Sequence, residues 1–386
     1  MTANHRTLWM LKDGIAFLNH GSFGAVPRCV FDEQNDWRRR IEAEPVEILG
    51  RRCRDLLAAA KIPVGQLLRM RPDDFGFVTN ATEAINAVFR CLKINSGDEL
   101  LTTTHVYNAI RQTMRFTAER ASATYREIDI RTPIYSGQQI MDAILANLSD
   151  RTRLLVIDHV TSPTALVFPV EQIVAACGSR GIDVLIDGAH APGMLDLSVT
   201  AIHAAYYTGN LHKWACAPKG SAFLWVRPDR QADIHPNIIS HHLGQGFGRE
   251  FDWQGTRDIS AFLATPCALD FMGDLGWSEV RRQNHDLAVW AHQMLFEKWN
   301  VPPLSPLDGS LLGSMATAQL PAPLCDMAED AAQRFQQFLY DEHQIEVPLI
   351  RWQERWHIRV SCQVYNGPED YLRLAGAIDG SISSAF

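Results

Sequence analysis

Two apolar runs stand at the centre of the chain: Arg153-Leu154-Leu155-Val156-Ile157-Asp158 and Val184-Leu185-Ile186-Asp187, with a helical pattern over 170–180 between them. Runs that are apolar at almost every position are typical of strands buried on both faces of a parallel sheet, and helices usually connect such strands. The same alternation extends from about residue 60 to 230. The sequence therefore predicts an α/β fold with a largely parallel sheet and helices on both of its faces.

Further elements follow the same pattern on either side of these two runs. Short apolar strands are predicted at 75–78, 99–103 and 221–226, and helices at 82–92 and 108–120. Each strand is short and each helix has about three turns, as expected of strand–helix–strand units. The alternation thus accounts for most of the first two-thirds of the chain.

The remaining parts of the chain predict a division into three regions. Residues 1–60 are expected to be a segment that packs on both following domains, and residues 61–270 the large domain. A long helical stretch over 270–299 then leads into mixed strand and helix patterns. Residues 271–386 are therefore predicted to form a smaller C-terminal α+β domain.

The composition excludes several classes of partner. The formal net charge of −8 disfavours nucleic acids and anionic membranes, which select basic surfaces. Met1–Met10 lacks the basic start and apolar core of a secretory signal, and no uncharged apolar run approaches the roughly 20 residues of a membrane span. We therefore expect a cytoplasmic protein that acts on a small molecule.

The eight cysteines are scattered along the chain without a Cys-x-x-Cys pair. This spacing fits neither a zinc site nor a disulfide framework, so no metal centre is predicted and the thiols are expected to be reduced. Chemistry must then come from other residue types. In an open parallel sheet, these residues are expected just beyond the carboxyl ends of the strands.

The first strand is followed by Thr79-Asn80-Ala81-Thr82-Glu83-Ala84. Small and hydroxyl residues at the start of a helix can hold a phosphate through free backbone N–H groups, helped by the helix dipole. The alternative interpretation is an ordinary N-cap by Asn80 or Thr82. Taken alone, this motif leaves both interpretations open.

A later strand ends in Asp187-Gly188-Ala189-His190. A buried carboxylate needs a partner, and a protonated pyridine nitrogen is one such partner. The alternatives are an N-cap or a structural ion pair.

The third motif is Gly209-Asn210-Leu211-His212-Lys213-Trp214. Lys213 follows Asp187 by enough residues for one strand and its connections. It could therefore reach the mouth of the same cleft, where an amine of lowered pKa can form an imine with an aldehyde. The alternative for any single lysine is a solvated surface charge. The hypothesis depends on the ordered set of motifs and not on Lys213 alone.

Together these motifs resemble the class V aminotransferase family, whose members are fold-type I enzymes that depend on pyridoxal phosphate (PLP). The resemblance runs from Leu18 to Asn366. It implies a mainly parallel sheet of the seven-stranded type and a smaller C-terminal domain. The chain is most similar to the isopenicillin N epimerase-like and C–S lyase branch through four motifs, which are Asn19–Gly24, Thr161–Thr164, Ala189–Gly193 and Gly255–Asp258.

The resemblance implies a set of residues that hold PLP. Lys213 would carry the cofactor as a Schiff base and move the proton at the substrate α-carbon, and Tyr107 would stack on the ring. Asp187 would bind the pyridine nitrogen. His190 and Ser162 would contact the ring 3′-oxygen. The phosphate would be held by Ala81, Thr82, Asn210 and His212 and, across a homodimer interface, by Thr256 of the second subunit.

The resemblance also implies a substrate site for an amino acid. Arg359 would clamp the α-carboxylate as a bidentate fork, unless it forms a surface salt bridge. Asn19 and His241 are further candidates for contact with the substrate. A second acid or base could come from His20, Tyr107, His241 or His242, although a histidine pair in a glycine-rich loop could equally be solvated.

The family contains several reactions, and the fold does not choose among them. A cysteine desulfurase is disfavoured, because residues 345–358 contain no cysteine before Arg359 and strand alternation places Cys362 on the opposite face. Elimination from a cysteine conjugate or its sulfoxide, as at the end of thiol-histidine biosynthesis, is favoured. Epimerisation at an amino-acid α-carbon is the alternative. An aminotransferase or a non-catalytic PLP-binding protein is less favoured.

Overall fold

The computed structural model describes residues 5–383, so the first four residues of the Met1–Met10 stretch lie outside the described part. The strands are β1 Ala16–Phe17, β2 Phe75–Val78, β3 Glu99–Thr103, β4 Thr124–Ile128, β5 Thr152–Asp158, β6 Asp183–Asp187, β7 Tyr206–Asn210, β8 Ala222–Val226, β9 Met315–Gln319, β10 Ile345–Glu346, β11 Leu349–Trp352 and β12 Arg355–Ser361. The α-helices are α1 His20–Phe23, α2 Arg28–Ala43, α3 Cys53–Leu68, α4 Ala81–Cys91, α5 Asn108–Ala121, α6 Gly137–Leu145, α7 Val170–Gly178, α8 Val199–Ile202, α9 Phe247–Asp252, α10 Ser260–Leu263, α11 Thr265–Asp274, α12 Trp277–Trp299, α13 Glu329–Asp341 and α14 Pro368–Ser383.

The described residues form a seven-stranded central sheet in the order β2-β8-β7-β6-β5-β3-β4. Within this sheet, β8 runs antiparallel to both of its neighbours, and the remaining pairs are parallel. The predicted α/β fold with a mainly parallel sheet is confirmed. Strands β5 and β6 lie side by side in register, which places Asp158 directly beside Asp187.

Both faces of the sheet are covered by helices. Helices α4, α5 and α9 pack on one face, where Val88, Ile110 and Phe251 are fully buried. Helices α3, α6 and α7 contribute to the apolar core on the other face, with Leu57 and Ile173 among the fully buried side chains. Burial on both faces explains why the central strands are apolar at nearly every position.

Two strands of the structure were not predicted from the sequence, and two stretches with a helical pattern are interrupted. Strand β4 lies at the sheet edge and β7 contains Thr-Gly-Asn, so neither has the apolar run on which the prediction depended. The sequence has a helical pattern over 31–57, but these residues do not form one helix, because α2 ends at Ala43 just before Pro45. The long helix predicted over 270–299 breaks at Gly276, which has a φ of 84°. Proline and positive-φ glycine end a helix locally, and the apolar periodicity does not report this.

The C-terminal part contains a three-stranded antiparallel sheet in the order β11-β12-β9, with α12 packed against β9. Strand β1 pairs in parallel with β10, which ties the first residues to the C-terminal part. The division at residues 60 and 270 remains a prediction. Among residues 5–383, no helix has both the length and the apolar character needed to cross a bilayer.

Candidate active site

The polar residues predicted at strand ends meet at one edge of the central sheet. Asp158, Asp187 and Asn210 are the last residues of β5, β6 and β7, which are successive neighbours in the sheet. All three are buried. Because parallel strands place their carboxyl ends at the same edge, the sequence order of the motifs becomes a spatial cluster.

The start of helix α4 has both an N-cap and a backbone N–H group that is free to bind a phosphate. The Asn80 side chain accepts a hydrogen bond from the Glu83 N–H at 2.8 Å and therefore caps the helix. The Asn210 side chain accepts from the Ala81 N–H at 2.9 Å. The Thr82 N–H has no acceptor within residues 5–383. Thr82 is therefore the residue of this turn that can offer both its N–H and its hydroxyl to an anion.

Lys213 lies at the centre of the cluster. Its Nζ is 3.3 Å from Nε2 of His190. Burial, and secondarily the charge of Arg359, lower the pKa of the Lys213 amine to about 7, against the opposing pull of Asp187 and Asp158. The neutral form of an amine attacks an aldehyde or accepts a proton, and a pKa of about 7 makes this form available near neutral pH.

His190 is held in one orientation. It is 2% exposed, and its Nδ1 accepts a hydrogen bond from the Trp214 Nε1–H at 3.4 Å. Burial, followed by the charge of Lys213, lowers the pKa of His190 well below its ordinary value. A neutral ring that accepts at Nδ1 carries its proton on Nε2, so this hydrogen-bond network assigns the Nε2–H as a donor towards Lys213.

Asp187 is a buried carboxylate that lacks a cationic partner. Its Oδ1 accepts a hydrogen bond from the Ala189 N–H at 3.0 Å, and Asp187 forms no ion pair with another described residue, although the charge of Lys213 partly opposes the effect of burial on its pKa. Burial raises its pKa. The alternative of a structural ion pair is therefore not supported. A positively charged group bound beside Asp187 would offset the free-energy cost of burying its negative charge.

Arg359 is enclosed among neutral groups. Its NH1 donates to the carbonyl oxygen of Ser162 at 2.7 Å and to its hydroxyl at 3.1 Å, and its NH2 donates to the Ser22 hydroxyl at 3.1 Å. Its Nε has no partner in the part of the chain that the structure describes. Burial lowers its pKa to about 10. A surface salt bridge is excluded because the residue is 3% exposed, and the free Nε suits an anionic ligand.

Ser22 was missed in the sequence analysis, although it lies within the Asn19–Gly24 motif. The Ser22 hydroxyl donates to Oδ1 of Asn19 at 2.5 Å, and the Asn19 amide donates to Glu346 at 3.0 Å. These contacts form a line of hydrogen bonds behind Arg359. Asn19 therefore holds the Ser22 hydroxyl, which in turn accepts a hydrogen bond from Arg359.

His20 contacts the backbone of Lys213 and not its amine. Its Nε2 lies 3.0 Å from the Lys213 carbonyl oxygen and its Nδ1 lies 2.8 Å from the Tyr365 hydroxyl. Burial lowers the pKa of His20 to about 3. The neighbouring Gly24 has a φ of 71°, and a Cβ there would collide with the carbonyl oxygen of His212. This segment therefore fits closely against the lysine loop.

Three other predicted residues lie at the rim of the cluster. Tyr107 is 48% exposed, and its backbone N–H acts to lower the pKa of Asp158. His212 donates from Nδ1 to the carbonyl oxygen of Ser221 at 3.0 Å, and burial lowers its pKa to about 4. Ser162 contacts Arg359 through both of its oxygens.

The structure places His241 and His242 away from this cluster within the same chain. Both line a separate cavity of about 180 Å³ together with Cys53 and Trp253. Thr256 is exposed in the bend between α9 and α10. An exposed position is compatible with contact to a second subunit, which is the role that the resemblance implied.

The segment before Arg359 is too compact for a thiol-bearing loop. Strands β11 and β12 form a hairpin whose turn consists of Gln353 and Glu354, both at positive φ. Burial raises the pKa of Cys216 and of Cys362 to about 12, so both are unreactive thiols.

The fold and the strand-end cluster define an α/β enzyme of the PLP-dependent fold-type I class. The family model for class V aminotransferases matches residues 20–303. The chain therefore belongs to the class V aminotransferase family, and its cofactor is PLP. The described residues fit that cofactor, because Lys213 is an enclosed amine with a pKa of about 7 and Asp187 is a buried carboxyl group without an ion pair among these residues.

Relatives cover almost the whole chain. A probable L-cysteine desulfhydrase of Arabidopsis thaliana, described as chloroplastic, is 31% identical over 399 residues, which span 96% of this chain and 84% of that protein. An isopenicillin N epimerase of Amycolatopsis lactamdurans is 32% identical, with 97% of each chain covered. The predicted likeness to the C–S lyase and epimerase branch is confirmed.

Solved structures show the same fold. The cystine C–S lyase C-DES, in complex with its product cysteine persulfide, superposes with a TM-score of 0.79 at 20% sequence identity. The superposition covers 95% of this chain and 97% of that chain. The fold of this chain is therefore a known architecture.

Proposed function

We propose that this protein is a C–S lyase that eliminates sulfur from a cysteine-type amino acid, either cysteine itself or a cysteine conjugate or its sulfoxide. The observation that carries the proposal is the arrangement of proton carriers. Lys213 is an enclosed amine with a pKa of about 7, whereas His20 is engaged at both nitrogens and His241 lies at a separate cavity. Elimination needs one base at the α-carbon, and this arrangement supplies one.

The roles of the surrounding residues follow from their contacts. Bound PLP supplies an electron sink for the negative charge that develops at the substrate α-carbon. Lys213 would take the α-proton, and Arg359 would hold the α-carboxylate so that this proton faces the amine. The Cβ–S bond then breaks, and the sulfur leaves with the electron pair as hydrosulfide from cysteine, a thiolate from a conjugate or a sulfenate from a sulfoxide. The enamine that remains is converted by water to pyruvate and ammonia.

Epimerisation remains the second candidate because of Tyr107. This residue is half exposed beside Asp158, and its hydroxyl is close enough to influence the pKa of Arg359. A phenol on the face opposite Lys213 could return the proton with inversion. The isopenicillin N epimerases at 31% and 32% identity support this alternative.

The two reactions are distinguished by one assay in heavy water. Purified holoenzyme is incubated with L-cysteine, S-substituted cysteines and their sulfoxides, and with amino acids that lack a β-leaving group. We expect pyruvate and ammonia in equal amounts from at least one sulfur substrate. Deuterium incorporation with a change of chirality and without pyruvate would instead establish the epimerase.

We further propose that the enzyme is a cytoplasmic homodimer in which Thr256 of one subunit completes the phosphate site of the other. The exposure of Thr256 and of the apolar Leu243 and Ile238 earlier in the chain supports this arrangement. Sedimentation should therefore give a dimer.

Hybrid dimers test the sharing of sites between subunits. A hybrid of a Lys213→Ala chain with a Thr256→Ala chain contains one site in which both residues are intact. Such hybrids should regain activity relative to either homodimer, up to about half of the wild-type activity per dimer. A fully active monomer, or hybrids no better than the homodimers, would contradict the proposal.

A further inference from the structure

Asp158 is a second buried carboxylate at the same edge of the sheet. It is the in-register neighbour of Asp187 on the adjacent parallel strand, and each residue is 3% exposed. Neighbouring strands are about 4.8 Å apart, and in-register residues point to the same face of the sheet. The two carboxyl groups are therefore side by side, away from water.

The cations around this pair cannot balance two negative charges. Arg111 of α5 is held in a bidentate ion pair by Glu127, with its Nε 2.9 Å from the carboxylate. Lys213 becomes the attachment point of the cofactor, which leaves the ring nitrogen as the positive charge that faces the pair. The other groups near the pair are uncharged, namely the N–H groups of Ala189 and Tyr107 and the Tyr207 hydroxyl. His159 contacts that hydroxyl at 2.8 Å, and burial lowers the pKa of His159 to about 4, so its ring is neutral at pH 7.

The surroundings of Asp158 point to the same conclusion. The Tyr107 N–H acts to lower the pKa of this carboxyl group, but Asp158 Oδ2 has no hydrogen-bond partner within residues 5–383. An ionised oxygen buried without a donor is costly, whereas a protonated oxygen beside Asp187 is itself a donor. Burial, and then the charge of Asp187, raise the pKa of Asp158 well above its ordinary value of 3.8.

We propose that Asp158 is a positioning residue that carries a proton beside Asp187, so that the pair presents one negative charge, on Asp187, to the cofactor's ring nitrogen. The inference rests on the proposed role of Asp187 but not on whether the reaction is elimination or epimerisation. A neutral acid can donate a hydrogen bond to Asp187 and hold its carboxylate in place. Carboxylate pairs in other enzymes share a proton for the same electrostatic reason.

The test is Asp158→Asn, because an amide has the shape and the donor of a neutral acid. PLP release from the holoenzyme during dialysis should stay within about threefold of wild type, whereas Asp187→Asn should accelerate release by about tenfold or more, the loss of a charged contact. Release as fast from Asp158→Asn as from Asp187→Asn would overturn the proposal. Unchanged release from both variants would instead refute the role given to Asp187.

A second readout uses the pH dependence of stability in the apoprotein. The unfolded chain releases the Asp158 proton near its ordinary pKa, whereas the folded chain retains it at higher pH. The stability from this group is therefore present at low pH and lost as pH rises towards the folded-state pKa. The melting temperature of Asp158→Asn minus that of wild type should increase from about pH 5 to about pH 8.

The matched control is Asp13→Asn, which changes an exposed aspartate in a turn and should give a difference that is flat with pH. A difference for Asp158→Asn that is equally flat would contradict proton retention. If Asp158→Asn does not fold, infrared spectra of the wild-type holoenzyme at neutral pH decide the matter. A protonated carboxyl band that shifts in heavy water is expected, and its absence would overturn the proposal.

Discussion

Replacement of Lys213 by alanine is expected to lower turnover by about 10³-fold or more, because the variant loses both the covalent attachment of PLP and the base at the substrate α-carbon. The structure gives the reason, since no other amine lies beside His190 in the described cluster. Reduction of the wild-type holoenzyme with borohydride, followed by peptide mapping, should label Lys213. The measurement is the turnover number together with the mass of the labelled peptide.

The control is Lys93→Ala, which removes an exposed lysine after α4 and should leave turnover unchanged. The low pKa of Lys213 also predicts a pH dependence. The amine is protonated below about pH 7 and neutral above it, so the rate at which the apoprotein takes up PLP should rise through this region and then level off. Label on another lysine, or a rate that is flat with pH, would refute the assignment.

Replacement of Arg359 by alanine is expected to raise the KM for the amino acid by about 100-fold or more while PLP stays bound, because a buried charge-assisted contact to the carboxylate is lost. The guanidinium is anchored by Ser162 and Ser22, and its Nε is free for an anion. Arg359→Lys should recover only part of this loss, since an ammonium cannot form the bidentate contact. Steady-state kinetics and the PLP content of each variant are the measurements.

Ser22→Ala provides a milder comparison, because it removes one anchor of Arg359 and should raise KM by a few-fold, about the value of one hydrogen bond. Arg359 also lowers the pKa of Lys213, so its removal should shift the pH profile of PLP uptake upwards. Loss of PLP from Arg359→Ala would show that this arginine acts structurally.

The fold could be predicted from the sequence because it depends on a local feature, the apolar character of each short strand. Strands buried on both faces must be apolar at nearly every position, and residues 153–158 and 184–187 report this directly. Strand β7 was not predicted, although it carries Asn210 at its end, because its sequence is Tyr-Tyr-Thr-Gly-Asn. Its burial results from its neighbours on the sheet and not from its own composition.

The sequence by itself indicated the proposed cofactor motifs, since Thr82, Asp187 and Lys213 lie in three short polar motifs whose order can be read directly. The tertiary structure decided which side chains lie at the proposed active site. His20 and Lys213 are 193 positions apart, and only folding shows that the ring nitrogen contacts the lysine carbonyl and not its amine. The pairing of Asp158 with Asp187 depends on sheet register, a long-range property that strand composition does not specify.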